Sequence, residues 1–125
     1  MSATLRIAFV TSEVVPFSKT GGLADVSGAL PQALAEQGHE IRVFTPAYGS
    51  IDKGEVGLQR VPAVSGESIK VATQVLQFDL LTTGDRGTPV YFIDCPDLYD
   101  REALYVDPAT GLDYPDNDIR FIFFC

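Results

Sequence analysis

The first third of the chain combines two short apolar runs with one helical pattern between them. Residues 5–10 and 41–45 are rich in aliphatic and β-branched side chains, which is typical of strands buried on both faces of a parallel sheet. Between them, apolar residues recur at helical spacing, with three alanines on the same side: Leu23, Val26, Leu30 and Leu34, with Ala24, Ala29 and Ala35. This pattern predicts an amphipathic helix that ends at Gly38, with a kink or a break near Ser27–Gly28 because Pro31 lies inside it. Together these elements predict a βαβ unit.

The middle of the chain has a different pattern. Residues 55–60 and 69–80 alternate apolar and polar side chains in part, and Ser65–Gly66 separates them, which predicts an antiparallel hairpin inserted at the sheet edge. Residues 88–94 return to the composition of a buried strand and are expected to rejoin the parallel sheet. The apolar residues 119–125 predict the start of a helix. The predicted fold class is therefore α/β, a Rossmann-like parallel sheet with an inserted β-hairpin.

Size and charge exclude several classes of function. The chain has 125 residues, enough for one domain, and a hydrophobic fraction of 46% supplies one small core. The net charge is −8 and the nine basic residues are spread along the chain, so nucleic acid is not an expected partner. No apolar run approaches the ~18 residues of a membrane span, so no membrane partner is expected either. Asp113, Asp116 and Asp118 lack the spacing of a calcium loop, so they are interpreted as acids of a solvated loop and not as a metal site, and no other cofactor is expected.

The candidate chemistry lies in the loop at residues 11–22, between the first strand and the helix. Ligands of open parallel sheets bind at the carboxyl ends of strands, and this loop leaves such an end. Lys19 precedes Gly21 and Gly22, and the helix that follows offers unpaired amides and a positive dipole end, which together can cradle a diphosphate. The alternative is a glycine pair that serves only the turn. The loop contains neither a Walker A motif nor Gly-x-Gly-x-x-Gly, which disfavours a dinucleotide-binding dehydrogenase.

The same loop resembles a known family of enzymes. Residues 12–26 read SEVVPFSKTGGLADV. The core of this stretch, Lys-Thr-Gly-Gly-Leu-Ala-Asp-Val, is similar to the N-terminal signature of bacterial glycogen synthases and plant starch synthases. Further similarity to this family, in the same order, is found at residues 28–31, 91–94, 98–101, 116–117 and 120–121. The resemblance covers nearly the whole chain and is weakest at residues 52–86.

The resemblance implies a retaining glycosyltransferase that acts without a required metal. It would transfer glucose from ADP-glucose, or from UDP-glucose, to an α-1,4-glucan acceptor. Lys19 would contact the donor, and Gly21 and Gly22 would let the loop close on its diphosphate and sugar. Asp25 and Tyr99 are weaker candidates for the donor site, and no catalytic residue can be assigned in this chain.

Several residues have a structural interpretation beside the functional one. Asp25 lies in the first turn of the predicted helix, where it either favours the helix dipole or contacts substrate. Glu13 is interpreted as an exposed loop acid rather than a cleft residue. His39 is expected to be structural, because it lies between the helix and the second strand. Tyr99 and Arg101 match the family and are candidates for the border of the cleft.

The resemblance also implies that the chain is one piece of a longer enzyme. Residues 1–125 would form part of the N-terminal, starch synthase catalytic domain of a two-domain GT-B glycosyltransferase, with the nucleotide-binding C-terminal domain absent. The isolated chain is then expected to be inactive and to self-associate, because its sheet lacks later strands. The alternative is a non-catalytic module that binds a glucan or a nucleotide sugar. A start without a basic leader or a cleavage site is expected of a bacterial cytoplasmic protein.

Overall fold

The computed structural model describes residues 3–84 and 87–125, and in that part it contains six strands and four α-helices. The strands are β1 (Arg6–Val10), β2 (Glu40–Pro46), β3 (Gln59–Arg60), β4 (Glu67–Val71), β5 (Gln74–Thr82) and β6 (Val90–Asp94). The helices are α1 (Gly22–Glu36), α2 (Lys53–Val56), α3 (Pro96–Tyr99) and α4 (Asn117–Phe124), and a 3-10 turn spans Pro62–Val64.

Three parallel strands form the part of the sheet that carries the candidate loop. β1 pairs with β2, and β2 pairs with β6, both in parallel. β5 joins the far side of β6 in antiparallel orientation, and β3 and β4 both pair with β5. The strand order is β1-β2-β6-β5-β3, with β4 outside this path. α1 connects β1 to β2 and packs on β2, so the predicted strand–helix–strand unit and the Rossmann-like α/β class are confirmed.

β1 is not buried on both faces, contrary to the prediction for residues 5–10. Leu5 and Val10 are each 53% exposed, and exposed and half-buried residues alternate along the strand. Among the described residues β1 pairs only with β2, so it forms an edge of the sheet. Apolar composition indicates how a strand can be buried, but the number of its neighbours is decided by the rest of the fold.

α1 packs against the rest of the protein through its small residues and not through the larger apolar residues that the pattern placed on its buried side. Ala24, Ser27 and Pro31 are buried. The apolar residues on the exposed side are Leu23, Val26 and Leu30, which are 50%, 54% and 43% exposed. A side chain at Gly28 would overlap Cγ2 of Val15, so the helix lies too close to the preceding loop for a large residue on this side. α1 also runs unbroken through Pro31, and the predicted break near Ser27–Gly28 is wrong.

A hairpin is present at the far side of the sheet, but its boundaries differ from the prediction. β4 and β5 pair antiparallel and turn at residues 72–73, so residues 69–80 form two strands and not one. Ser65–Gly66 therefore is not the hairpin turn and lies before β4. There the amide of Gly66 donates a hydrogen bond to Asp79 on β5 at 2.7 Å.

The beginning of the predicted strand at residues 55–60 is helical instead. α2 forms there because the Asp52 side chain accepts a hydrogen bond from the amide of Glu55 at 2.9 Å, which caps the helix. Gly57 ends the helix in the left-handed conformation, with φ of 76°. Only Gln59 and Arg60 form a strand, β3.

The second half of the chain follows the prediction more closely. β6 confirms the strand expected at residues 88–94, and α4 confirms the helix expected at 119–125. The main core lies where the sheet, α3 and α4 meet and contains Ala47, Tyr48, Ile51, Leu76, Leu81, Phe92, Cys95, Leu98, Tyr99, Leu104 and Phe123. Within the described residues, no helix has both the length and the apolar character needed to span a bilayer.

Candidate functional site

The loop between β1 and α1 is fastened to the helix that it precedes. The amide of Val15 donates to the carbonyl of Ala24 in the first turn of α1 at 3.1 Å. The hydroxyl oxygens of Thr11 and Ser27 lie 2.8 Å apart in a buried hydrogen bond. The loop therefore has a defined shape at the carboxyl end of β1, which is where an open parallel sheet binds its ligands.

Glu13 is the buried centre of this loop, so its interpretation as an exposed acid is wrong. The residue is 2% exposed. Its Oε1 accepts the amides of Thr20 and Gly21 at 3.3 and 3.1 Å, and its Oε2 accepts the hydroxyls of Thr20 and Tyr105, both at 2.7 Å. Burial by itself raises the pKa of Glu13, but the hydrogen bonds outweigh burial and hold this pKa below its usual value. The charged carboxylate of Glu13 thus holds the backbone of the loop in place from its buried side.

Lys19 and Asp25 lie at the surface of the loop and pair with each other. Nζ of Lys19 donates to the two carboxylate oxygens of Asp25 at 2.9 and 2.8 Å, and the two side chains are 52% and 58% exposed. An ion pair this exposed contributes at most about 1 kcal/mol, so an anion can replace Asp25 at small cost. Asp25 does not cap α1, whose N-cap residue is Gly21.

Gly21 and Gly22 are not required by the backbone conformation. Gly21 has φ of −163°, an extended value that any residue adopts, and Gly22 is the first residue of α1. A Cβ atom added to either residue would meet no atom of residues 3–84 and 87–125 within 4 Å. The amides of Gly22 and Leu23 belong to the first turn of the helix, where no intrahelical acceptor exists. The fold therefore leaves open space above polar backbone groups at this helix end.

Tyr99 and Arg101 are not brought together with Lys19, Gly21 and Gly22. Tyr99 is fully buried, and its hydroxyl donates to the carbonyl of Arg120 at 2.6 Å. This placement makes Tyr99 a core residue with no surface for a donor in this structure.

Arg101 has its own partner on the loop before α4. Its Nη1 and Nη2 donate to the two carboxylate oxygens of Asp116 at 2.9 and 2.6 Å, and the hydrogen bonds hold the pKa of Asp116 below its usual value. Asp116 is thus a structural partner and not the solvated acid that its loop position suggested.

Tyr105 and Arg120 have no role in the predicted site, but Tyr105 contacts the loop directly and Arg120 binds the backbone next to Tyr105. Tyr105 reaches Glu13 across 92 positions of sequence. Arg120 is fully buried, and its Nε and Nη1 donate to the carbonyls of Leu98 and Leu104, both at 2.7 Å. Contacts at such separations leave no local spacing signal, and only the similarity to the family at residues 98–101, 116–117 and 120–121 pointed to this region.

Two grooves lie against the loop, and the smaller one is lined by the first loop residues and by Leu23 at the start of α1. It has a volume of about 560 Å³. Its walls include Thr11, Ser12, Leu23, Tyr105, Asn117 and Phe121. The larger groove, about 840 Å³, lies between α1 and strands β2 and β6, and its lining, like that of the smaller groove, includes none of Lys19, Gly21 and Gly22. His39 borders it, and Nδ1 of His39 accepts the amide of Leu5 at 3.2 Å, which agrees with the structural role expected for this histidine.

Comparison with known proteins decides between the classes that this geometry allows. The family model described as the starch synthase catalytic domain matches residues 6–125. This chain belongs to that family. The starch synthase resemblance predicted from residues 12–26 is therefore confirmed, and the chain matches one part of this catalytic domain.

Relatives of the starch synthase segment are bacterial glycogen synthases. The glycogen synthase of Geotalea daltonii is 40% identical over 125 residues, which cover 97% of this chain and 24% of the relative. That of Anaeromyxobacter dehalogenans is 48% identical over 124 residues, which cover 95% of this chain and 23% of the relative. The chain thus spans about a quarter of the length of the curated relatives it matches.

A solved structure of a starch synthase has the same fold as this segment. The catalytic domain of starch synthase IV from Arabidopsis thaliana, bound to ADP and acarbose, superposes with a TM-score of 0.73. The match covers 98% of this chain and 24% of that chain, at 22% sequence identity. At this identity the likeness shows the fold alone.

Proposed function

We propose that this segment contributes the donor-phosphate loop of a glycogen or starch synthase. The enzyme transfers glucose from ADP-glucose, or from UDP-glucose, to an α-1,4-glucan with retention of configuration, in the bacterial cytoplasm. The segment is then part of the N-terminal domain of a two-domain GT-B glycosyltransferase, and a second domain binds the nucleotide. Membership of the family supports this proposal, as does the ADP bound to the related starch synthase IV.

The open space at Gly21 and Gly22, next to an exposed cation, is the observation that carries the proposal. Neither glycine is demanded by a positive φ or by a close contact, so the fold itself does not account for the absence of side chains. A phosphate group above the helix end would account for it, because it needs close access to the amides of Gly22 and Leu23. Lys19 supplies a full positive charge at the same edge.

The proposed reaction explains why a lysine and free backbone amides would lie together at this helix end. As the bond between the anomeric carbon and the phosphate oxygen breaks, negative charge grows on the departing diphosphate. Lys19 and the amides of the helix end interact more strongly with this charge than with the bound donor, which lowers the barrier. Before the donor arrives, Asp25 holds Lys19 in place, and Lys19 then exchanges this carboxylate for a phosphate oxygen. Removal of one such donor costs about 3 kcal/mol in related oxyanion sites.

A chimeric enzyme tests the proposal. In it this chain replaces the matching segment of the Geotalea daltonii glycogen synthase, and the assay measures incorporation of labelled glucose from ADP-glucose or UDP-glucose into a glucan primer. We expect Lys19→Ala to lower kcat/KM by roughly 100-fold or more. Lys19→Arg should recover only part of this loss, because the planar guanidinium group of arginine replaces the compact ammonium group of lysine.

Arg60→Ala is the matched control for the lysine variant. Arg60 also forms an exposed ion pair, with Asp79 at 3.3 Å, but it lies on the hairpin side of the sheet. The control should retain the kcat/KM of the parent chimera. A Lys19→Ala chimera within about threefold of its parent, or a folded chimera without any transfer, would count against the proposed role of this segment.

A further inference from the structure

We infer that Tyr105 is a positioning residue of the donor loop and that it acts through Glu13. The inference rests on the proposed function of the loop and extends it to a residue far away in sequence. The hydroxyl of Tyr105 donates to Oε2 of Glu13 at 2.7 Å, and the carboxylate of Glu13 in turn holds the amides of Thr20 and Gly21.

The first link runs from Glu13 to the loop backbone. Glu13 accepts the amides of the two residues that precede α1, Thr20 and Gly21, and also the hydroxyl of Thr20. These hydrogen bonds fix the direction of the chain between Lys19 and the helix. Because the carboxylate occupies the amides of residues 20 and 21, the next free amides at the helix end are those of Gly22 and Leu23. Glu13 thereby selects which backbone groups are presented to a phosphate.

The second link runs from Tyr105 to Glu13. Since the phenol proton is directed at Glu13, the Ser12 hydroxyl, 2.8 Å from the phenol oxygen, acts as a donor to Tyr105. Ser12 is held in turn by Tyr48, whose hydroxyl donates to the Ser12 carbonyl at 2.6 Å. Burial, together with the nearby charge of Glu13, raises the pKa of Tyr105 to about 12. The phenol therefore keeps its proton and remains a donor at neutral pH.

The third link fixes Tyr105 itself on the start of α4. Its carbonyl accepts the side-chain amide of Asn117 at 2.9 Å and the backbone amide of Tyr114 at 3.1 Å. Its ring lies against Phe121, with the centroids 5.6 Å apart. Tyr105 is thus held from the backbone and from the ring, so its hydroxyl has a defined position from which to orient Glu13.

Amide hydrogen exchange in the 125-residue chain tests the inference, read by NMR at Thr20 and Gly21. Tyr105→Phe removes one hydrogen bond to a charged group and leaves the ring in place, so exchange at these two amides should accelerate about tenfold or more. Tyr91→Phe is the matched control, because among the described residues the Tyr91 hydroxyl has no hydrogen-bond partner while its ring stacks on Phe44. The control should change exchange at these amides by less than about twofold.

A double-mutant cycle shows whether Tyr105 acts through Glu13. Glu13→Gln removes the negative charge that accepts the hydrogen bond from Tyr105. In the Glu13→Gln variant, a second substitution, Tyr105→Phe, should therefore add little to the exchange rate. If the acceleration of exchange in the double variant equalled the product of the accelerations in the two single variants, the inference would be overturned. Unchanged exchange in Tyr105→Phe alone would also overturn it. If Glu13→Gln does not fold, the exchange result for Tyr105→Phe decides by itself.

The enzymatic readout separates this inference from the proposed function. In the chimera, Tyr105→Phe should lower kcat/KM about tenfold, while Tyr91→Phe leaves it unchanged. Faster exchange in Tyr105→Phe together with a fully active Lys19→Ala chimera would refute the donor function and leave the loop geometry standing. Unchanged exchange together with an inactive Lys19→Ala chimera would refute the role of Tyr105 and leave the donor function standing.

Discussion

Alanine at position 22 separates a ligand-binding role of the glycine pair from a role in the turn. Gly22 is the first residue of α1, and in the part of the chain that the structure describes an added Cβ would meet no atom within 4 Å. Alanine is favoured over glycine by about 1 kcal/mol in a helix interior, and by less at the helix end. We therefore expect the free energy of unfolding of Gly22→Ala to stay the same or to rise by up to ~0.5 kcal/mol.

The same substitution should weaken donor binding. The new methyl group would occupy the space through which a phosphate approaches the amides of Gly22 and Leu23. Loss of one hydrogen bond to a charged group corresponds to about 1.5–3 kcal/mol, which is roughly a 10- to 100-fold increase in the Kd for ADP-glucose. A variant that is as stable as its parent but binds the donor poorly is the signature of a ligand-binding glycine.

Gly28→Ala provides the matched control in the same helix. Its Cβ would overlap Cγ2 of Val15, and overpacking of this kind costs about 1–3 kcal/mol. The helix propensity of alanine offsets about 1 kcal/mol of this cost, so the net effect is a destabilisation of about 0–2 kcal/mol. Gly28 lies beyond the first turn of α1, away from the helix end at which the donor is proposed to bind. The Kd of the folded protein for ADP-glucose should therefore not change.

Urea unfolding of the chain and calorimetric donor titration of the chimera measure the two quantities. We expect opposite outcomes for the two glycines, with donor affinity lost only at position 22 and any loss of stability confined to position 28. If Gly22→Ala lowered the free energy of unfolding and left the donor affinity unchanged, Gly22 would serve the turn and the proposed phosphate contact would be refuted.

Two further predictions concern the isolated chain. The folded pKa of Glu13 lies below its ordinary value of 4.5, so its stabilisation is complete above that value and is lost as the pH falls through the folded pKa. Urea unfolding at about pH 7 and about pH 3 should show a smaller acid-induced loss for Glu13→Gln than for the unchanged chain, and equal losses would contradict this. The chain alone should transfer no glucose from ADP-glucose and should self-associate through the edge of β1 and the exposed stripe of α1. Sedimentation should show a weaker association for a Leu23→Gln, Leu30→Gln variant, and a monomeric chain with robust transfer would refute the prediction.

The sequence by itself determined the local elements and the position of the candidate loop. Gly38 and the helical spacing of apolar residues located α1, and the apolar runs located β2 and β6. Local signals suffice here, because helix ends and strand periods are set by neighbouring residues. The loop at residues 11–22 was located for the same reason, and its signature led to the family that the comparison confirmed.

Only the tertiary structure decided which surfaces are buried and which side chains shape the loop. The helical spacing predicted that Leu23, Val26 and Leu30 are buried together with Ala24, but only Ala24 is buried, because the close approach of Val15 to Gly28 admits only small residues. Glu13 looked like an exposed acid, since its four hydrogen-bond donors come partly from Tyr105, 92 positions away. A buried charge is tolerated only where the fold assembles enough donors around it, and the assembly of distant donors is a property of three-dimensional packing that no local sequence pattern contains.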